Sequence, residues 1–239
     1  MKTIIITGAA NGVGKEIAKI LKGMSTIVLI DEDKDNLEKL AKELKADSFV
    51  CDVSKVADIE RTVEKILVKH KKIDCLINNA GMWVSGDISK INLEEYKDMN
   101  KLDRVKKVID TNVFGVIGMV ASIYPIMEKQ GSGQIININS QSGVEIEPPF
   151  PIYNATKTSS YTFRKAIQFD LAKHNIKITD ICPGLIKTDF YKRANAELPK
   201  VIMDTGLEPI EVARAVKYVL ELPHEITIPS LEIRHIKNY

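Results

Sequence analysis

The 239-residue chain predicts one α/β domain built on a doubly wound parallel sheet, spanning residues 1–239. Three observations carry that expectation. Strand-like and helix-like segments alternate from one end to the other, the pattern of βαβ units with right-handed crossovers. The strand-like runs are nearly all apolar, as parallel strands covered on both faces require. The first of them runs straight into a glycine-rich turn and then a helix.

In chain order, strands are expected at Thr3–Thr7, Thr26–Ile30, Ser48–Cys51, Cys75–Asn78, Gln134–Ile138 and Lys177–Ile181. Helices are expected at Gly14–Lys22, Lys34–Leu44, Val56–Lys69, Val105–Glu128, Ile152–Lys173 and Ile210–Leu222. In the third helix Val56, Ile59, Val63, Ile66 and Leu67 recur at helical spacing with charges between them, which makes one apolar face. Two stretches break the rhythm, 82–103 and 187–209. Loops of that length in a compact domain are usually functional.

Composition excludes several function classes. The formal net charge is +2, with no long basic block, which argues against a nucleic-acid partner. Cys51, Cys75 and Cys182 are odd in number and far apart, which speaks against a disulfide framework and for a reducing, cytoplasmic setting. No CxxC or Cys/His cluster suggests a metal. The apolar run at the N-terminus is too short for a signal peptide, and no stretch of 18 apolar residues is expected to span a membrane. His70 and His174 fall where helices should end, and Asn154-Ala-Thr156 is taken as a chance glycosylation match.

The turn after the first strand holds Gly8, Gly12 and Gly14, with Thr7 before it and Asn11 and Val13 within it. Glycines there allow a tight turn and close approach of the backbone to a pyrophosphate, while the following helix N-terminus offers free N–H groups to the anion. A nucleoside-triphosphate P-loop would need Ser or Thr after Lys15 to hold magnesium. Glu16 stands there instead, so the dinucleotide reading is preferred. Asp31 follows the second strand, 17 residues past Gly14. Its carboxylate can accept hydrogen bonds from the adenosine ribose hydroxyls and would repel a 2′-phosphate, which favours NAD over NADP. Lys15 and Lys34 are near enough in sequence to temper that preference.

Tyr153 and Lys157 stand at i and i+4 on one helix face. A tyrosine with an ordinary pKa of about 10 is a poor acid–base at neutrality. An ammonium ~4 Å away, at an effective dielectric of ~20, is worth ~4 kcal/mol, or roughly three pKa units. That brings the phenol to where a proton shuttle works.

With these residues in place the sequence resembles the short-chain dehydrogenase/reductase family in its single-domain branch. The TGxxxGxG turn stands at residues 7–14, NNAG at Asn78-Asn-Ala-Gly81, the helix asparagine at Asn112, the serine at Ser140, the Tyr-x-x-x-Lys pair at Tyr153 and Lys157, and PGxxxT at Pro183, Gly184 and Thr188. The resemblance implies a Rossmann-type sheet of about seven strands and an oxidoreductase that interconverts a carbonyl and a secondary alcohol. It implies Tyr153 as general acid or base, Ser140 polarising the substrate oxygen, Lys157 on the nicotinamide ribose, and Asn112 holding a water in a proton relay. It further implies Asp52 against the adenine amine with Val53 beside it, Asn79, Ala80 and Gly81 lining the groove, and Thr188 on the carboxamide. Homodimers or homotetramers are implied, built on the apolar 105–128 helix and the Tyr153 helix.

Asn139 replaces a common second serine, and Ser142 a common alanine, while the tail after Pro223 is short. Trp83, Phe150 and Pro148-Pro149 offer an apolar substrate wall, and Glu145 and Glu147 a reception for a cation, though solvated loop acids explain those two as well. A sugar, short hydroxy acid, steroid or acyl thioester all remain open as the carbonyl or alcohol substrate. The alternative to an enzyme is a catalytically silent NAD(H)-binding regulatory or structural protein of the same fold.

Overall fold

The computed structural model describes residues 1–83, 99–146, 150–190 and 204–238. Seven parallel strands form one sheet: β1 (Lys2–Thr7), β2 (Ser25–Asp31), β3 (Asp47–Val50), β4 (Cys75–Asn78), β5 (Gly133–Ile138), β6 (Ile176–Pro183) and β7 (Ser230–Ile233). Their order across the sheet is β3-β2-β1-β4-β5-β6-β7. The chain therefore winds outward in one direction to β3, returns, and winds the other way from β4. The point of reversal lies between β1 and β4, where a crevice opens at the carboxyl ends of the strands.

Helices cover both faces. On one side lie α1 (Gly12–Leu21), α2 (Lys34–Leu44) and α7 (Pro209–Glu221). Their apolar stripes, including Ile17, Leu37, Val212 and Val216, pack on Ile4, Ile6, Ile77 and Ile136. On the other side α3 (Val56–Lys69), α5 (Gly115–Gln130) and α6 (Pro151–Lys173) pack on Ile5, Leu76, Ile135 and Ile178. Alternate strand residues thus feed two separate cores, which is why the strands read as continuous apolar runs.

Three details differ from the sequence reading. The seventh strand, Ser230–Ile233, lies in the short tail where no strand was placed; its half-buried Ser-Leu-Glu-Ile pattern is that of an edge strand, too short and polar to stand out. The helix expected at Val105–Glu128 is an α4 (Met99–Ile109) that widens into a π turn at Asp110–Phe114 before continuing as α5. By length and composition the run Asp103–Gln130 is apolar enough to cross a membrane, which a search for 18 unbroken apolar residues does not register. Val116, Met119, Val120, Ile123 and Met127 of this run pack into the core beneath the sheet. Asn154 and Thr156 are buried in α6, which removes them as a glycosylation acceptor.

One side chain at the end of α5 ties down the segment that leads into β4. Gln130 accepts from the Ile73 N–H at 3.0 Å and donates to the Ile73 carbonyl at 2.9 Å, mimicking a strand partner for a fully buried residue. Truncating Gln130 strands both backbone groups, at a cost of about 1–3 kcal/mol each before water compensates. Gln130→Ala should lower the thermal midpoint by roughly 2–4 °C per kcal/mol lost, read by scanning calorimetry, whereas an unchanged midpoint would mean that water replaces the side chain without loss.

Candidate active site

The crevice between β1 and β4 holds a cavity of about 400 Å³, within the range of small-molecule and cofactor sites. Gly8, Asn11, Gly12 and Val13 line one part, with Asp31, Asp52 and Val53 beside them. Asn79, Ala80 and Gly81 form the β4 side. Ser140, Tyr153 and Lys157 stand at the far part, with Pro183, Gly184 and Thr188. Thr7, Gly14 and Asn112 do not line the cavity and instead support it from behind.

The support is specific. The Thr7 hydroxyl donates to the Ile77 carbonyl at 3.4 Å and accepts from the Asn79 and Ala80 N–H groups at 3.0 and 3.1 Å. The Asn79 amide donates back to the Thr7 and Gly8 carbonyls at 3.0 and 2.8 Å. Gly8 takes φ +63°, and a Cβ there would lie 2.7 Å from the Ala80 Cα. A Cβ on Gly14 would collide with the Gly8 carbonyl and lie 2.6 Å from Asn79 Nδ2. The glycines are therefore required by the turn's own packing against β4. That packing leaves the α1 N-terminus open toward the cavity, a cradle suited to an anion.

At this end Asp31 is buried and held. One carboxylate oxygen accepts from the Ala10 N–H at 2.8 Å, the other from the Asp33 N–H at 2.9 Å. Asp52 accepts from the Ser54 N–H and hydroxyl and pairs with Lys107 Nζ at 2.6 Å. Burial raises the Asp52 pKa, but donation from Lys107 and Ser54 outweighs it and brings the group down to about 2. Lys107 also lies 3.5 Å from Glu32, so it ties α4 to the ends of β2 and β3. The sequence reading did not include Lys107, whose position on a polar helix face gave no local signal.

At the other end the Ser140 hydroxyl accepts from the Ser142 N–H at 3.1 Å, which leaves its own proton free to be donated. Lys157 is 7% exposed, donates to the Ile138 carbonyl at 3.0 Å, and lies 5.8 Å from the centroid of the Tyr153 ring. Burial lowers the Lys157 pKa to about 8, opposed by Asp180 and by Cys182. The Asn112 side chain accepts from the Met82 N–H at 2.8 Å and donates to the Met82 carbonyl at 2.8 Å and to Thr156 Oγ1 at 3.1 Å. Both amide protons are used, so a relay water can meet only its main chain or the second lone pair of Oδ1.

Trp83 and Phe150 line the cavity and meet edge to face, ring centres 5.4 Å apart, and Phe190 meets Tyr153 in the same manner at 6.3 Å. Glu145 is already engaged: Arg234 reaches it at 3.0 Å and Gln141 donates to it. A reception for a substrate cation there would have to displace Arg234. Glu147, Pro148 and Pro149 lie outside the described residues, as do most of the stretches 82–103 and 187–209. Among the described residues no group of three or more His, Cys, Asp or Glu side chains is placed to hold a metal ion.

A family model described as short chain dehydrogenase matches residues 2–199. The chain belongs to the short chain dehydrogenase family. An uncharacterized oxidoreductase of Staphylococcus aureus strain MRSA252 is 30% identical over 239 residues, covering 98% of this chain and 97% of the relative. Among solved structures, a 3-ketoacyl-(acyl-carrier-protein) reductase from Brucella melitensis complexed with NADH is 28% identical, with TM-score 0.86 and coverage of 100% and 98% of the two chains. The closed form of a serine dehydrogenase complexed with NADP+ is 27% identical, with TM-score 0.87 and coverage of 99% and 96%. This short chain dehydrogenase thus carries the oxidoreductase fold of the family over its whole length, with neighbours that bind either nicotinamide dinucleotide.

The buried Lys157 makes a signed prediction about stability in this dehydrogenase. Its folded-state pKa, about 8, is below the ordinary lysine value of 10.5. Between those two values the unfolded state binds more protons, so this group's contribution to stability rises with pH across that window. Lys157→Met removes the effect. The melting-temperature difference, variant minus parent, should be largest near neutral pH and shrink between about pH 8 and 10; a difference that is flat or grows with pH would contradict the burial of a charged ammonium.

Proposed function

We propose that this chain transfers a hydride between a nicotinamide dinucleotide and a carbonyl/secondary-alcohol pair, with Tyr153 as the acid in reduction and the base in oxidation. The observation that carries the reading is the convergence of Ser140, Tyr153 and Lys157 at one end of a single groove whose other end holds the glycine turn, Asp31 and Asp52. The dinucleotide, when bound, would supply the hydride in reduction and accept it in oxidation. Gly8, Asn11, Gly12 and Val13 would receive its pyrophosphate, Asp31 its adenosine ribose, and Asp52 with Val53 its adenine. Asn79, Ala80 and Gly81 would face the groove's middle, and Pro183, Gly184 and Thr188 the nicotinamide. Thr7 and Gly14 serve by shaping the turn.

The chain's own groups account for the proton. Ser140 keeps a hydroxyl proton to donate to the substrate oxygen. Lys157 spends one N–H on the Ile138 carbonyl and retains two for the nicotinamide ribose, while its charge favours the Tyr153 phenolate. Asn112 fixes the Met82 backbone and, through Thr156, the turn of α6 that carries Tyr153. The wall of Trp83, Phe150 and Phe190 favours a substrate with an apolar body over a free sugar. The intact set of four residues favours an enzyme over a silent binding protein.

NAD is the preferred cofactor in this reading. Three carboxylates, Asp31, Glu32 and Asp52, face the adenosine end, against the ammoniums of Lys107 and Lys55, which Asp52 and Glu32 already hold. A 2′-phosphate would enter a net negative site. Oxidation of NADH and of NADPH should be followed over a panel of apolar and polar ketones and aldehydes. The expected results are at least about a tenfold larger kcat/KM with NADH, equal to ~1.4 kcal/mol, and a loss of roughly two or more orders of magnitude in kcat for Tyr153→Phe. Undiminished turnover in Tyr153→Phe would sink the mechanism, and a preference for NADPH would sink the Asp31 argument alone.

A further inference from the structure

Beneath the cavity the apolar core gives way to a row of polar side chains. Asn78 of β4, Asn137 of β5 and Asp180 of β6 are direct neighbours in the strand register. Asn78 donates to Asn137 at 3.0 Å, and Asn137 donates to Asp180 at 2.9 Å. Asn139, one residue past the end of β5, donates to the other oxygen of Asp180 at 3.4 Å. Arg164 of α6 reaches that same oxygen at 3.4 Å, and its guanidinium stacks 4.9 Å from the Tyr161 ring. Asp180 is fully buried and Arg164 is 3% exposed. A buried ion pair of this kind seldom adds stability over apolar packing, so its presence asks for another reason.

The reason is its place. Lys157, Ser160 and Arg164 form the inward face of α6, one and two turns apart. The Asp180 carboxylate meets this face from the sheet. Asn139, which touches Asp180, is also packed against the Lys157 main chain through Gly143: a Cβ on Gly143 would lie 2.7 Å from Asn139 Oδ1 and 2.9 Å from the Lys157 carbonyl. The Ile138 carbonyl that receives Lys157 lies between Asn137 and Asn139 in the strand. We propose that Asp180 is the positioning anion for Lys157: with Arg164 it makes a buried row of cation, carboxylate and cation along α6, which holds the Lys157 ammonium at the cavity floor.

The other groups facing this row are few. Among the described residues, β6 adds Cys182, whose thiol burial raises to about 11, and α6 adds the Tyr153 phenol, while β4 and β5 present neutral amides. Burial works to protonate Asp180, and donation from Asn137 with the Arg164 charge opposes it. Asp180 therefore attracts the Lys157 ammonium, while Arg164, two turns along the same helix face, carries a like charge on the other side of the carboxylate.

This rests on the reading of Lys157 as a catalytic residue, but its test needs neither cofactor nor turnover. The titration of Lys157 is followed by carbon NMR of ε-labelled lysine in the intact protein, with Lys157→Arg to identify the signal. Asp180→Asn should lower the midpoint by about one pH unit or more, a tenfold change in the protonation equilibrium. Arg164→Gln should raise it. The double variant Arg164→Met/Asp180→Leu, which removes both charges and suits a folded core, should fall between the two single variants. If Asp180→Asn does not fold, the rise in Arg164→Gln and the lower value in the double variant decide the matter. Midpoints unmoved in all variants, or moved in the same direction by both single changes, would overturn the proposal. Failure of the hydride-transfer reading would show separately, as turnover surviving in Tyr153→Phe while the order of midpoints held.

Discussion

The glycine turn after β1 and the end of β4 are locked face to face, and almost everything in the site is placed by that contact. Thr7 closes three hydrogen bonds to the β4 segment, and the Asn79 amide returns two to the turn. The lock works only because Gly8 and Gly14 bring no Cβ into the space between them. It falls where the winding of the sheet reverses. On one side the lock aims the α1 N-terminus into the crevice. On the other it sets the course of the backbone through Gly81 to Met82, which Asn112 then pins from the π turn.

The second organising constraint is electrostatic. A doubly wound sheet offers an apolar floor to whatever lies on it, yet this site has a lysine buried in it. Lys157 carries the desolvation cost of that position, visible in its lowered pKa. The polar row Asn78, Asn137, Asp180 and Arg164 lies under it, where branched apolar residues would otherwise continue the core. At the adenosine end the balance is reversed, with three carboxylates against the two ammoniums of Lys107 and Lys55. The groove therefore runs from a negative end to a positive one, along the direction in which a dinucleotide would lie.

Most of the fold and much of the groove were legible in the sequence because both are written in local patterns. Apolar runs gave β1, β2 and β4 to β6 nearly to the residue, since buried parallel strands leave no room for alternation. The turn glycines are close together in the chain, and Tyr153 and Lys157 are one helical turn apart. What escaped was non-local or weakly patterned. β7 is an edge strand of four residues with two polar positions. The π turn at Asp110–Phe114 changes hydrogen bonding without changing apolar periodicity. Lys107 joins Asp52 across 55 positions. Asp180 did leave a signal, the one charged residue in the Ile178–Cys182 run of β6, and a charge in a buried strand demands a partner. Its partner Arg164 looked like one more helix residue until α6 was laid on the sheet. Thr7 was placed among the cofactor-contacting residues by its motif, whereas its hydroxyl faces the protein.

The central claim is that a nicotinamide dinucleotide lies in this groove with its reactive end beside Tyr153. Trp83 reports on that directly, because it is the chain's single tryptophan, is 7% exposed and lines the cavity with Phe150. Titrating the protein with NADH while exciting Trp83 should quench its emission and sensitise that of the reduced nicotinamide, and excess NAD should reverse both. Calorimetric binding of NADH with the Trp83 emission unchanged would place the cofactor elsewhere, and absence of binding would contradict the account at its root.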